Sequence, residues 1–216
     1  MKYLFLVIVF AWTISAARSV NAHPHAWIDL WIEVIFDSTG AITGLRETWL
    51  FDDFYSVYAT EGMDLDKDGQ PDKEPMAKLV RENIESLSEY DYFTKAWIGG
   101  NPIKLAKVTE MSSDIREKRL SLVYYVPFEK PVRTDIGALT YSIYDPAYYT
   151  EMLHAEIKGA IKLLGAPKGC SYELNPAEPK EEEVSLAFSL SATETVSRDL
   201  GQFFAEKVSV RCTSHE

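Results

Sequence analysis

The chain has 216 residues, of which 46% are hydrophobic and 25% charged, and its formal net charge is −11. That composition excludes disordered, collagen-like and low-complexity chains. The acidity argues against nucleic acid as a partner, because phosphates are repelled.

Residues 1–22 read as a cleaved secretory signal. Met1-Lys2 is a positive start, Tyr3 to Ala17 is an apolar run too short for a comfortable membrane span, and Val20-Asn21-Ala22 suits signal peptidase. The competing reading is an uncleaved anchor, favoured by Arg18 between the run and the cut. No other stretch approaches membrane length, so no membrane insertion is expected after cleavage. Residues 23–216 then form a single α+β domain, beginning at His23.

In residues 25–36 the apolar Ala26, Ile28, Leu30, Ile32, Val34 and Phe36 alternate with His25, Trp27, Asp29, Trp31 and Glu33, which predicts a strand. Asp37-Ser38-Thr39-Gly40 is a turn, and Ile42 to Phe51 completes a hairpin. Asp52 or Asp53 is positioned to cap a short helical turn through Phe54, Val57 and Tyr58. An acidic loop follows. Met76, Leu79, Val80, Asn83, Ile84 and Leu87 recur at helical spacing and predict a helix over 74–89.

Tyr92 to Ile98 and Ile103 to Thr109 flank Gly99-Gly100-Asn101-Pro102, a hairpin signal. Leu120 to Pro127 and Ala138 to Tyr144 are further strands, with Glu129-Lys130-Pro131 as a turn between them. Asp145-Pro146 breaks the chain, and Met152 to Ile157 is a short strand. Residues 175–183 read as a charged, proline-punctuated loop, 197–204 as a short helix and Val208 to Cys212 as a closing strand. The expected class is α+β, a mostly antiparallel, sandwich-like β-sheet with a helical insertion after the first hairpin.

Two cysteines, Cys170 and Cys212, read in an oxidising compartment as one disulfide. It closes a loop of about forty residues, worth roughly 4 kcal/mol on the chain-entropy model. The alternative is two buried free thiols.

The mature start, His23-Pro24-His25, holds two imidazoles and a free α-amine within three residues. Imidazole suits zinc, copper and nickel. Pro24 lacks the amide that a square-planar N-terminal copper or nickel site deprotonates, so binding must use side chains, the amine and ligands from elsewhere. His154 is the better third ligand of the two other histidines, since His215 is next to the last residue. Asp29 is a further ligand or the orienter of an imidazole. The plain alternative is two solvated histidines near a chain start.

Asp64-Leu-Asp66-Lys-Asp68-Gly69-Gln70-Pro-Asp72-Lys-Glu74 has the alternating carboxylates and the glycine turn that an oxygen-seeking cation needs. Position twelve of an EF-hand is here Pro75, with Glu74 one place early, so the loop over 64–74 is nearer to compact extracellular calcium loops. Its plain alternative is a solvated acidic loop with Asp72 as a helix cap. Tyr141, Tyr144, Tyr148 and Tyr149 crowd around Asp145-Pro146, which suits core packing better than a pocket. Nucleophile, zinc-protease and phosphate-loop motifs are lacking, so an enzyme is not expected.

His23-Pro24-His25-Ala26-Trp27-Ile28-Asp29, Trp49-x-Phe51-Asp52-x-Phe54-Tyr55-Ser56, Tyr92-Phe93-Thr94, Tyr144-Asp145-Pro146-x-Tyr148-Tyr149 and Gly169-Cys170 occur in an order that resembles a family of periplasmic proteins of unknown function. The family is described as a periplasmic component of a metal transport system, its members often accompanying nickel/cobalt-type permeases. The resemblance implies an accessory transition-metal role (zinc first, nickel or cobalt next) centred on His23 and His25, with an inner-membrane metal permease as partner. The rival readings are a copper enzyme or carrier built on the N-terminal histidine, and an envelope interaction module holding only structural calcium.

Overall fold

The computed structural model describes residues 24–190 and 199–213. The hairpin of β1 (Ala26–Phe36) and β2 (Ile42–Phe51) forms as its alternation requires, with Ala26, Ile28, Leu30, Ile32, Val34 and Phe36 all buried. Helix α1 (Asp53–Ala59) and helix α2 (Lys73–Leu87) follow. Helix α2 buries Met76, Val80 and Ile84, one residue per turn of a single face. The rest of the chain supplies β3 (Thr94–Ile98), β4 (Asn101–Pro102), β5 (Met111–Arg116), β6 (Arg119–Val132), β7 (Leu139–Ile143), β8 (Thr150–His154), β9 (Ile161–Leu164) and β10 (Cys170–Asn175). Helix α3 (Glu181–Ser189) and β11 (Lys207–Cys212) end it.

Two sheets enclose the core. One runs β5-β6-β2-β1, and β8 and β9 lie in succession along the free edge of β1, parallel to it. The other runs β10-β11-β7-β3-β4 and is antiparallel. Residues of both sheets and of α2 share one buried apolar cluster. The fold is α+β and sandwich-like, with helices inserted after the first hairpin. Cys170 and Cys212 face each other across β10 and β11 and are disulfide-bonded. No helix among the described residues is long and apolar enough to cross a membrane.

Several elements differ from expectation. Glu129-Lys130-Pro131 is not a turn between strands. It lies within β6, where Ile42 pairs with Val132 and Gly44 with Pro127, and of the extra β6 residues Phe128 is buried while Glu129, Lys130 and Pro131 bulge outward and stay exposed. Residues 103–109 form no strand beyond an isolated bridge from Leu105 to Phe128. The edge strand β5, with weak apolar alternation, was not expected. The charged stretch over 175–183 runs into α3, whose first turn holds Glu181, Glu182 and Glu183, where the helix dipole favours acids. Strand β3 starts only at Thr94, because Asp91, Tyr92 and Phe93 take left-handed conformations. Residues 1–22, His23 and His215 lie outside the described residues, as do residues 197 and 198 of the expected 197–204 helix. The rest of that stretch forms only a short 3-10 turn over Gly201–Phe203, with Leu200 buried and Phe203 exposed.

Candidate metal site

His25 sits just ahead of β1. Its amide donates to the Tyr149 carbonyl at 2.7 Å, and its ring stacks on the Tyr149 ring with centroids 4.6 Å apart. Two residues on, the Trp27 amide donates to the Asp52 carboxylate at 2.9 Å, and the Asp52 amide returns a bond to the Trp27 carbonyl at 2.9 Å. The other Asp52 carboxylate oxygen accepts from the Tyr55 amide at 2.8 Å and caps α1. One aspartate thus ties the start of β1 to the start of the helical insertion. Tyr55 turns inward and stacks on Phe51, while Phe54, Val57 and Tyr58 face solvent rather than the core. Burial pushes the Tyr55 phenol up, helped by Tyr149, Tyr58 and Asp52 nearby.

The sequence-predicted third ligand is elsewhere. His154 pairs with Leu30 in the β8–β1 register, five positions from His25, or ~16 Å along the strand. It is buried, as Leu30 is, whereas His25 shares the parity of the outward Trp27. Its Nδ1 lies 2.8 Å from Glu206 Oε2, which also accepts the His154 amide at 2.6 Å. Its Nε2 lies 3.3 Å from the Tyr141 hydroxyl. A carboxylate only accepts, so Nδ1 carries a proton toward Glu206, and Nε2 is paired with the Tyr141 hydroxyl. His154 is therefore a satisfied core histidine, separated from His25. Asp29 is likewise engaged, with a carboxylate oxygen 2.8 Å from Arg119 Nη2. The same guanidinium donates to the Leu50 and Phe51 carbonyls at the end of β2.

The acidic loop closes on itself. Carboxylate oxygens of Asp64, Asp66 and Asp72 lie within 4.8 Å of one another. Asp64 accepts from the Asp68 and Gly69 amides, both at 3.0 Å, and Asp72 accepts from the Leu65 amide at 2.6 Å. Gly69 takes φ 90°, and Lys67 φ 64°, so the turn the glycine was expected to permit is present. Asp68 instead accepts from the Gln70 amide at 2.8 Å, and Gln70 and Glu74 are exposed. Asp72 precedes α2 without a side-chain cap bond. Three of the six predicted oxygen donors converge, which suits a hard cation such as calcium.

The tyrosines around Asp145-Pro146 do not line one pocket. Tyr141 is in the core, Tyr148 stacks on Phe204 with centroids 3.9 Å apart, Tyr144 donates to Asp199 at 3.0 Å, and Tyr149 carries His25.

Sequence reasoning missed Glu47. It has no exposed surface and accepts from Trp49 Nε1 at 2.9 Å, Thr94 Oγ1 at 2.7 Å and the Tyr124 hydroxyl at 3.1 Å. Burial raises its carboxyl to about 7, against the pull of those three bonds. The signal was present: Leu45, Glu47 and Trp49 share one parity of β2, and an acid at an inward position needs partners.

No curated protein and no solved structure matches the chain. A family model described as a protein of unknown function, DUF1007, matches residues 8–212. The match spans nearly the whole chain, both sheets and every site described above, and the chain belongs to the DUF1007 family.

Proposed function

We propose that the protein is a periplasmic, non-enzymatic metal-binding accessory that captures a transition metal at its mature N-terminus and serves an inner-membrane metal permease. Zinc is the first candidate, because imidazole and amine ligands suit it without redox chemistry; nickel or cobalt comes next. The observation that carries the reading is the anchoring of His25, whose backbone and ring are both held by Tyr149. A fixed imidazole lowers the entropy cost of closing a site. His23 is only two residues away, within ~7 Å of chain, and leader cleavage supplies an amine on it. With His154 and Asp29 engaged elsewhere, the ligand set reduces to His23, His25, that amine and groups from solvent or a partner. A site that takes its remaining ligands from solvent or a partner suits transfer better than permanent storage.

The loop over 64–74 is a second, separate site in this reading. Asp64, Asp66 and Asp72 hold calcium, which docks the loop ahead of α2. Their convergence also favours the rival in which structural calcium is the only ion.

Native mass spectrometry of the processed protein, titrated with zinc, nickel, copper and calcium, separates the two. A mass starting at His23 with one zinc or nickel bound alongside calcium supports metal capture. Calcium alone leaves the interaction-module reading.

A further inference from the structure

Three consecutive residues without glycine, Asp91, Tyr92 and Phe93, have φ of 53°, 55° and 58°. Left-handed backbone is strained for such side chains and persists only where surroundings over-determine it. Three holds are visible. The Thr94 amide donates to the Asp91 carbonyl, the Tyr144 amide donates to the Phe93 carbonyl at 2.9 Å, and the Tyr92 hydroxyl accepts from the Val108 amide at 3.1 Å. The Tyr92 carbonyl has a conditional partner. Thr94 Oγ1 lies 3.1 Å from that carbonyl and 2.7 Å from Glu47 Oε1. A threonine hydroxyl has one hydrogen, so it serves one of these acceptors at a time.

We propose that Glu47, Thr94 and the Tyr92 carbonyl form a proton-operated latch on the turn 91–93. With Glu47 protonated on Oε1, its O–H donates to Thr94 Oγ1, and the Thr94 hydrogen is free to hold the Tyr92 carbonyl. When the proton leaves to solvent, the Thr94 hydrogen turns back to the Glu47 carboxylate, and the Tyr92 carbonyl loses its bond. Only hydrogens move between the two states, and Trp49 and Tyr124 remain donors to Oε2 in both.

The surroundings make the latch titrate singly. Tyr124 from β6 and Tyr141 from β7 face Glu47, and Tyr92 lies beside Tyr124. Burial and Glu47 hold the Tyr124 and Tyr141 phenols well above their usual range, so both stay neutral donors. Beyond Tyr141 come His154 and Glu206, bonded to each other. The causes acting on Glu47 among the described residues are burial and three uncharged donors, with no cation to fix it as a carboxylate. Its carboxyl therefore changes state near neutral pH.

The test is amide hydrogen exchange by NMR on the intact processed chain, from about pH 5.5 to about pH 8.5, alongside the Glu47 side-chain carbon signal. Protection of the Thr94 and Tyr144 amides, corrected for intrinsic rates, should fall about fivefold as Glu47 ionises, the equilibrium effect of one neutral hydrogen bond. The Ile32 amide, bonded to Ala160 far from the turn, serves as the control and should not follow. Glu47→Gln, whose amide donates to Thr94 at every pH, should keep the turn protected throughout. Thr94→Val should leave it unprotected throughout while Glu47 still titrates, and this variant with Thr94→Ser carries the test if Glu47→Gln does not fold. Flat protection in the wild type while Glu47 titrates, or no titration of Glu47 in this range, overturns the latch.

Discussion

Trp27 and Asp52 exchange two hydrogen bonds, backbone amide to carboxylate and backbone amide to carbonyl, each 2.9 Å. The pair closes the end of the β1–β2 ladder beside His25. The second Asp52 carboxylate oxygen caps α1, so this side chain joins the candidate site to the insertion that carries the acidic loop. Asp52→Ala should cost about 1–2 kcal/mol through the lost cap and the stranded Trp27 amide. Urea unfolding measures the loss. Zinc affinity should weaken with it, because the start of β1 frays.

His154 is a core residue in this account, and its replacement separates structure from binding. His154→Ala removes a buried ring and leaves the Glu206 carboxylate without its Nδ1 donor. A loss of about 2–4 kcal/mol is expected, with zinc affinity unchanged in the folded fraction. A calorimetric titration of the variant checks the second half.

Glu47 sets a pH dependence of stability. Its carboxyl is near 4.5 ordinarily and about 7 when folded. The native state therefore binds the proton more tightly than the unfolded chain. Its contribution is fully present below about pH 4.5 and is lost as pH rises through 7. The change is on the order of 3 kcal/mol between those limits. Glu47→Gln should flatten it, so the variant gains on the wild type at alkaline pH. Urea midpoints of both proteins across this range give the comparison.

Calcium should stabilise the loop over 64–74. At a hundredfold excess over its dissociation constant a bound ion adds about 2.7 kcal/mol. Chelation should lower the melting temperature of the wild type and leave the double variant Asp64→Asn, Asp66→Asn unmoved. A differential scan with and without chelator reads both.

Much of this was legible in the sequence, for physical reasons. The period-two run of β1 has one solution, burial of its even-numbered face. An aspartate cap at Asp52 or Asp53 is legible by type and position, the structure using Asp52, and alternating aspartates ahead of Gly69 curl as the glycine allows. The sequence was silent where the chain departs from periodicity. Strand β5 is a half-exposed edge, and its pairing with β6 follows from the turn at Glu117 and Lys118, both at positive φ. The separation of His154 from His25 follows from parallel register, which the local pattern does not encode. Glu47 was readable as an inward acid, but its partner Thr94 comes from the other sheet, 47 residues away in the chain.

The proposed function rests on a transition-metal site at His23 and His25. A competition titration of zinc against a chromogenic chelator, on the processed chain and on its His23→Ala, His25→Ala variant in the presence of calcium, tests it directly. One zinc per chain in the wild type and none in the variant, with calcium binding intact in both, is the predicted result. Equal zinc affinity in the two proteins, or no zinc bound by either, would contradict the account.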